Sequence, residues 1–113
     1  MAPSSVTLRK ERTPTDTRSL WAELSENGDL TIEGQDLGKE VEAFWGAGNT
    51  EYEWTITIRA ADIPKLAKLL SAAAGDDLLK VLGDRFAEDE KFASKSFLEK
   101  NGIPLEFWSR VGD

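Results

Sequence analysis

Glu51-Tyr52-Glu53-Trp54-Thr55-Ile56-Thr57-Ile58-Arg59 is the most regular stretch of the chain. Tyr52, Trp54, Ile56 and Ile58 take alternate positions, with Glu53, Thr55, Thr57 and Arg59 between them. A period of two belongs to a strand, because successive side chains leave on opposite faces, and aromatic and β-branched residues suit that pleated surface. The apolar set needs a hydrophobic layer on one side, while the Thr and Glu set tolerates water on the other. The stretch therefore predicts a central strand of an antiparallel sheet, with one face covered and the other solvated or covered only in part.

Upstream, Leu20, Ala22 and Leu24 alternate with Trp21 and Glu23, and alternation resumes at Leu30 and Ile32 after Glu26-Asn27-Gly28. A two-residue Asn-Gly loop would pair Leu24 with Thr31. A three-residue loop with Gly28 in the left-handed region pairs Leu24 with Leu30 and Ala22 with Ile32, which keeps each face uniform. That register is the expected one, and it turns Trp21 to the face of Glu23, Thr31 and Glu33. Val6 and Leu8 predict a short edge strand that stops before a turn from Thr13 to Thr17. Gly34 to Gly38 reads as a strand break, Lys39 to Trp45 as a helical turn with Val41, Phe44 and Trp45 apolar, and Gly46 to Asn49 as a loop.

Downstream the period changes. Asp62 as N-cap, Pro64 in the first turn and Ile63, Leu66, Ala67, Leu70 and Ala74 predict a helix stopped by Gly75. Asp76 is placed to cap a second helix with a stripe of Leu78, Leu79, Leu82 and Phe86, in which Gly83 costs about 1 kcal/mol relative to Ala. A third helix over 89–100 buries Phe92, Ala93 and Phe97 and ends at Asn101-Gly102, and Leu105 to Val111 supplies a last strand. Strands and helices segregated along the chain predict an α+β fold: a mostly antiparallel sheet of about four to five strands with about three helices packed on one face. A single domain over 1–113 is expected, made of an edge strand and loop (1–18), an acidic β-meander (19–59), and a helical part with the last strand (60–113).

Composition narrows the chemistry. The 113 residues are 40% apolar and 31% charged, and carry a net charge of −7. That suits one globular core. There is neither His nor Cys, which removes the Ser-His-Asp triad, the Cys nucleophile, the His base and the Cys/His zinc site. No apolar run approaches the ~20 residues a membrane helix needs, and Met1 to Lys10 lacks the pattern of a secretory signal. A cytoplasmic protein is the expectation.

The charge is local: residues 19–53 hold nine Asp or Glu against one Lys. Such a field attracts a cationic partner and repels nucleic acid and anionic lipid. Other motifs have simpler accounts. Asp29 to Glu40 has part of the spacing of a calcium loop, but Leu30 and Ile32 alternate as a strand where that loop needs flanking helices. Asp76-Asp77 and Glu88-Asp89-Glu90 sit at expected helix starts, where acids satisfy orphan amides and the dipole. Gly46-Ala47-Gly48 lacks the Lys and hydroxyl of a phosphate loop. No catalytic, cofactor or metal residue is assigned.

The candidate partner-binding residues are Trp21, Glu23, Asp29, Glu33, Asp36, Trp45, Glu51 and Glu53. The acids would supply field and on-rate, and Trp21 and Trp45 buried contact, because aromatics ringed by acids anchor Arg and Lys. Trp54 reads as core. In Phe107-Trp108, adjacent positions of a strand, the two rings must leave on opposite faces.

The strings Glu33-Gly34-Gln35-Asp36-Leu37-Gly38, Glu51-Tyr52-Glu53-Trp54 and Gly102-Ile103-Pro104-Leu105-Glu106-Phe107-Trp108 resemble those of a group of small uncharacterised bacterial single-domain proteins, from about Leu20 onward. The resemblance implies a bacterial single-domain protein and transfers no catalytic residue. In overall type, a small acidic cysteine-free α+β chain, the sequence is also similar to immunity proteins that neutralise bacterial toxins. The expectation is a non-enzymatic interaction protein, of inhibitor or immunity type, that docks on a basic protein through residues 21–53. The alternatives are a small-ligand or cation sensor using the Trp45 to Tyr52 loop, and a structural or homodimeric role.

Overall fold

The structure is a computed structural model that describes residues 4–112. Five strands, β1 (Ser4–Arg12), β2 (Asp16–Leu24), β3 (Leu30–Gly38), β4 (Glu51–Ile58) and β5 (Glu106–Gly112), form one antiparallel sheet in sequence order. Helix α1 (Lys39–Trp45) joins β3 to β4. A 3-10 turn (Ala60–Asp62) leads into α2 (Ile63–Leu69), followed by α3 (Leu78–Glu88), a second 3-10 turn (Glu90–Ala93) and α4 (Lys95–Lys100). This is the α+β arrangement read from the period switch.

The hairpin register is the one that keeps faces uniform: Ala22 pairs with Ile32 and Leu24 with Leu30. Ser25 N–H donates to Asp29 O at 2.9 Å and Gly28 N–H to Ser25 O at 3.0 Å, with Gly28 at φ 90°. Leu20, Ala22, Leu30, Ile32, Ile56 and Ile58 share one face and pack on Leu66, Leu70, Leu79, Leu82, Phe86 and Leu98 from the helices. Trp54 is half-buried against this core.

Several expectations are corrected. Gly34 to Gly38 is not a break: β3 runs through it, hydrogen-bonded to β2 and β4 on either side. Gly34 stands opposite Trp54, whose indole covers it so closely that a Cβ there would lie 2.4 Å from the ring. The aromatic ring supplies the cover that the glycine lacks. The β1–β2 hairpin is also longer than expected, because the chain between Arg12 and Asp16 turns tightly on a Thr13 N–H to Asp16 O bond of 2.8 Å.

The helix expected to reach Ala74 ends at Leu69. Ser71 takes a left-handed φ of 58°, and Ala72 N–H reaches back to Ala67 O at 2.9 Å, closing the end with a hydrogen bond usual for glycine caps. Asp62 accepts no capping bond, and Asp77, not Asp76, caps α3 by accepting from Leu79 and Lys80 N–H; Asp76 instead accepts from Ala73 N–H. The helix over 89–100 is split, since Ser94 is extended at ψ 131° and accepts from Phe97 N–H as the cap of α4. Gly102, at φ 77°, ends α4 as expected.

Candidate binding site

The sheet separates the eight candidate residues. Trp21, Glu23, Glu33, Glu51 and Glu53 project from the face away from the helices, as alternation from Ala22, Ile32 and Ile56 requires. Across this open face, cross-strand pairing sets Trp21, Glu33, Thr55 and Trp108 in one row. They line a shallow cavity of about 290 Å³ with Gln35 and Glu53. Trp108 is 52% exposed and was not singled out from sequence. Its sequence neighbour Phe107 points to the helix side, under the Lys95 ammonium, 5.5 Å from the ring centre.

Much of the open-face charge is already engaged. Trp21 Nε1–H donates to Glu33 at 2.8 Å, and Arg110 meets Glu51 at 3.0 Å and Glu53 at 3.7 Å. The Glu53 carboxyl is held below its ordinary value, by the neighbouring Glu51 carboxyl first and the Arg110 charge after it. Only Glu23 of this group has a side chain without a polar partner among the described residues.

Asp29 stands apart at the β2–β3 turn. Its carboxylate accepts from Ala60 N–H at 2.8 Å and from Arg59 at 3.1 Å, and Arg59 also forks onto Glu106 with both bonds at 2.9 Å. The Ala60 amide, then Arg59, hold the Asp29 carboxyl below 3.8, and Glu106 first among its partners raises Arg59. The group is a latch tying the turn to the start of β5. Most of Asp29 to Glu40 is strand, from Leu30 to Gly38, and Glu40 lies in the first turn of α1, so its calcium-loop spacing does not become a loop. Among the described residues no cluster of three or more His, Cys, Asp or Glu is spaced to hold a metal ion.

Asp36 and Trp45 meet elsewhere. They line a cavity of about 620 Å³ with Asp16, Arg18, Leu37, Glu40, Val41, Phe44 and Tyr52. It lies where β2 and β3 run past the helical layer and α1 folds back over their ends. Val41 is the buried foot of α1. Trp45 stacks on Tyr52 with centroids 5.6 Å apart, and Phe44 meets Trp45 edge-on at 5.0 Å. Phe44 is nonetheless 80% exposed and Trp45 45% exposed.

Three carboxylates and one guanidinium surround these rings. Asp16 accepts from the Thr15 hydroxyl and from Glu40 N–H at 2.8 Å, and these two bonds, Thr15 first, hold its carboxyl below 3.8. Asp36 lies 3.4 Å from Arg18, while the Glu40 carboxylate has no polar partner among the described residues. Ring quadrupoles and carboxylates both attract positive charge, and here exposed rings stand beside net negative charge.

Compared with protein-family models, with curated proteins and with solved structures, the chain matches none. Among the described residues no helix is long and apolar enough to cross a membrane.

Proposed function

We propose that the protein is a non-enzymatic interaction domain that docks on a basic protein, with the α1 cleft as the seat of a partner Arg or Lys side chain. The observation that carries this is the exposed Phe44-Trp45-Tyr52 cluster beside Asp16, Asp36 and Glu40. An uncommitted aromatic surface of this kind gains most when a cation is desolvated against it. The acids of 19–53 extend a negative field around it, which speeds encounter with a basic surface. An inhibitor or immunity-type role in a bacterial cytoplasm, the reading that the sequence resemblance favours, agrees with this chemistry. Trp21, Glu23, Glu33, Glu51 and Glu53 form a second, largely self-paired surface, and Asp29 serves the latch.

A small organic cation is the second reading, favoured by the cavity of about 620 Å³, within the range of ligand sites. Titration with an oligo-arginine peptide and, separately, with arginine amide distinguishes them through tryptophan fluorescence. Docking predicts a saturable change with the peptide, weakened by salt and lost in Trp45→Ala. A response to arginine amide of equal affinity would favour the small cation, and no Trp45-dependent response to either would remove the cleft from the account.

A further inference from the structure

The two outer strands of the sheet differ in what guards them. Strand β1 is interrupted by a bulge at Leu8 and carries the charged run Arg9-Lys10-Glu11-Arg12. Both devices discourage another strand from pairing with it. Strand β5 pairs in unbroken register with β4 from Glu106 to Gly112, and among the described residues nothing pairs with its outer side. Its two aromatics stand one on each face, Phe107 43% and Trp108 52% exposed. An unbroken edge flanked by large exposed rings is a template for strand addition.

We infer that β5 is a self-association edge, pairing antiparallel with β5 of a second copy about a two-fold axis through Ser109. An isologous contact needs a sequence that complements itself. Around Ser109, Phe107 falls opposite Val111 on the helix side, and Trp108 opposite Arg110 on the open side, each pair made twice. The first is an apolar pair and the second sets a ring against a guanidinium, both favourable across strands. Arg110 is already drawn over the sheet surface by Glu51 and Glu53, which fixes it as a platform for the partner's indole. The charge on β5 is equally suited, since Arg110 is neutralised by β4 and Glu106 by Arg59. No unpaired charge would be brought to the axis. The result is a continuous ten-stranded sheet, of modest contact area, and so a reversible dimer at high concentration rather than an obligate one.

The native chain has no cysteine, so Ser109→Cys introduces a single thiol on the proposed axis. Directly opposed residues of antiparallel strands have Cα atoms about 4.5 to 5.5 Å apart, inside disulfide range. Under mild oxidation Ser109→Cys should form a covalent dimer much faster than Ser5→Cys on the β1 edge. Sedimentation of the wild-type chain from low micromolar to near-millimolar concentration should show a monomer–dimer equilibrium, with Trp108→Lys or Phe107→Lys raising the dissociation constant about tenfold or more. Circular dichroism checks that each variant keeps its fold. A wild-type chain that stays monomeric throughout overturns the proposal, as does a dimer indifferent to both lysines or cross-linked equally well through Ser5→Cys.

Discussion

Strand β1 and strand β5 are the two ends of one sheet, yet β1 is tied down by the helices and β5 is not. On the β1 side, Val6 faces Gly83 of α3, Arg9 lies 5.5 Å from the centre of the Phe86 ring, and Glu90 closes an ion pair on Arg9. On the β5 side the Lys95 ammonium lies over the Phe107 ring, which stays 43% exposed, and the Arg59 latch holds the strand at its start. An edge strand whose side chains a helix holds needs no partner, whereas an unbroken edge left aromatic gains from one. The contrast teaches that exposure of an aromatic is informative only with its position in the sheet: half-buried Trp21 already donates to Glu33, while Trp108 stands at a strand with a free side.

The comparison breaks first in the core beneath β1 and β2. Leu82 is fully buried, and Leu82→Ala should cost about 2 to 5 kcal/mol by urea denaturation, whereas Phe107→Ala in dilute solution should cost about 0.5 kcal/mol or less. Equal losses would mean that the helices hold both sides alike. Between the edges, Gly34→Ala should cost about 1 to 3 kcal/mol, because its Cβ would displace the Trp54 indole, and the tryptophan emission should shift with it.

Smaller effects sharpen the contrast. A Cβ on Gly83 would meet Val6 at 3.6 Å, an ordinary contact, so Gly83→Ala should stabilise the β1 side by about 1 kcal/mol through helix propensity alone, read as a higher thermal midpoint. The latch at β5 should be acid-sensitive. Because the Asp29 carboxyl is held below 3.8, its contribution is complete above that value and is lost as pH falls through the lower folded value. Comparing thermal midpoints of wild type and Asp29→Asn should show the difference between them shrinking over that acidic window and constant above it.

The sheet was legible because its constraints are local and periodic: alternation at Tyr52 to Ile58, and the face parity that demanded a three-residue turn at Gly28. What escaped depends on residues far apart in the chain. Gly34 reads as a break until Trp54 is laid across it, and Asp29 reads as a free acid until Arg59 and Ala60 arrive from the far end of β4. Ser71 in a left-handed conformation and the extended Ser94 shortened helices whose apolar spacing continued past them. The candidate site was split for the same reason. Periodicity placed Trp21, Glu33 and Glu53 on one face, but the joining of Asp36 and Trp45 to Asp16, Arg18 and Tyr52 needed the path of α1 over the strand ends. Trp108 could be given a face from sequence, though not its place on an outer strand.

The most direct test of the difference between the two edges is amide hydrogen exchange of β1 and β5 as protein concentration is raised. The account predicts that outward-facing amides of Glu106 to Gly112 gain protection with concentration while those of Ser4 to Arg12 do not change. Protection at β5 that is independent of concentration, or a rise shared equally by β1, would contradict it.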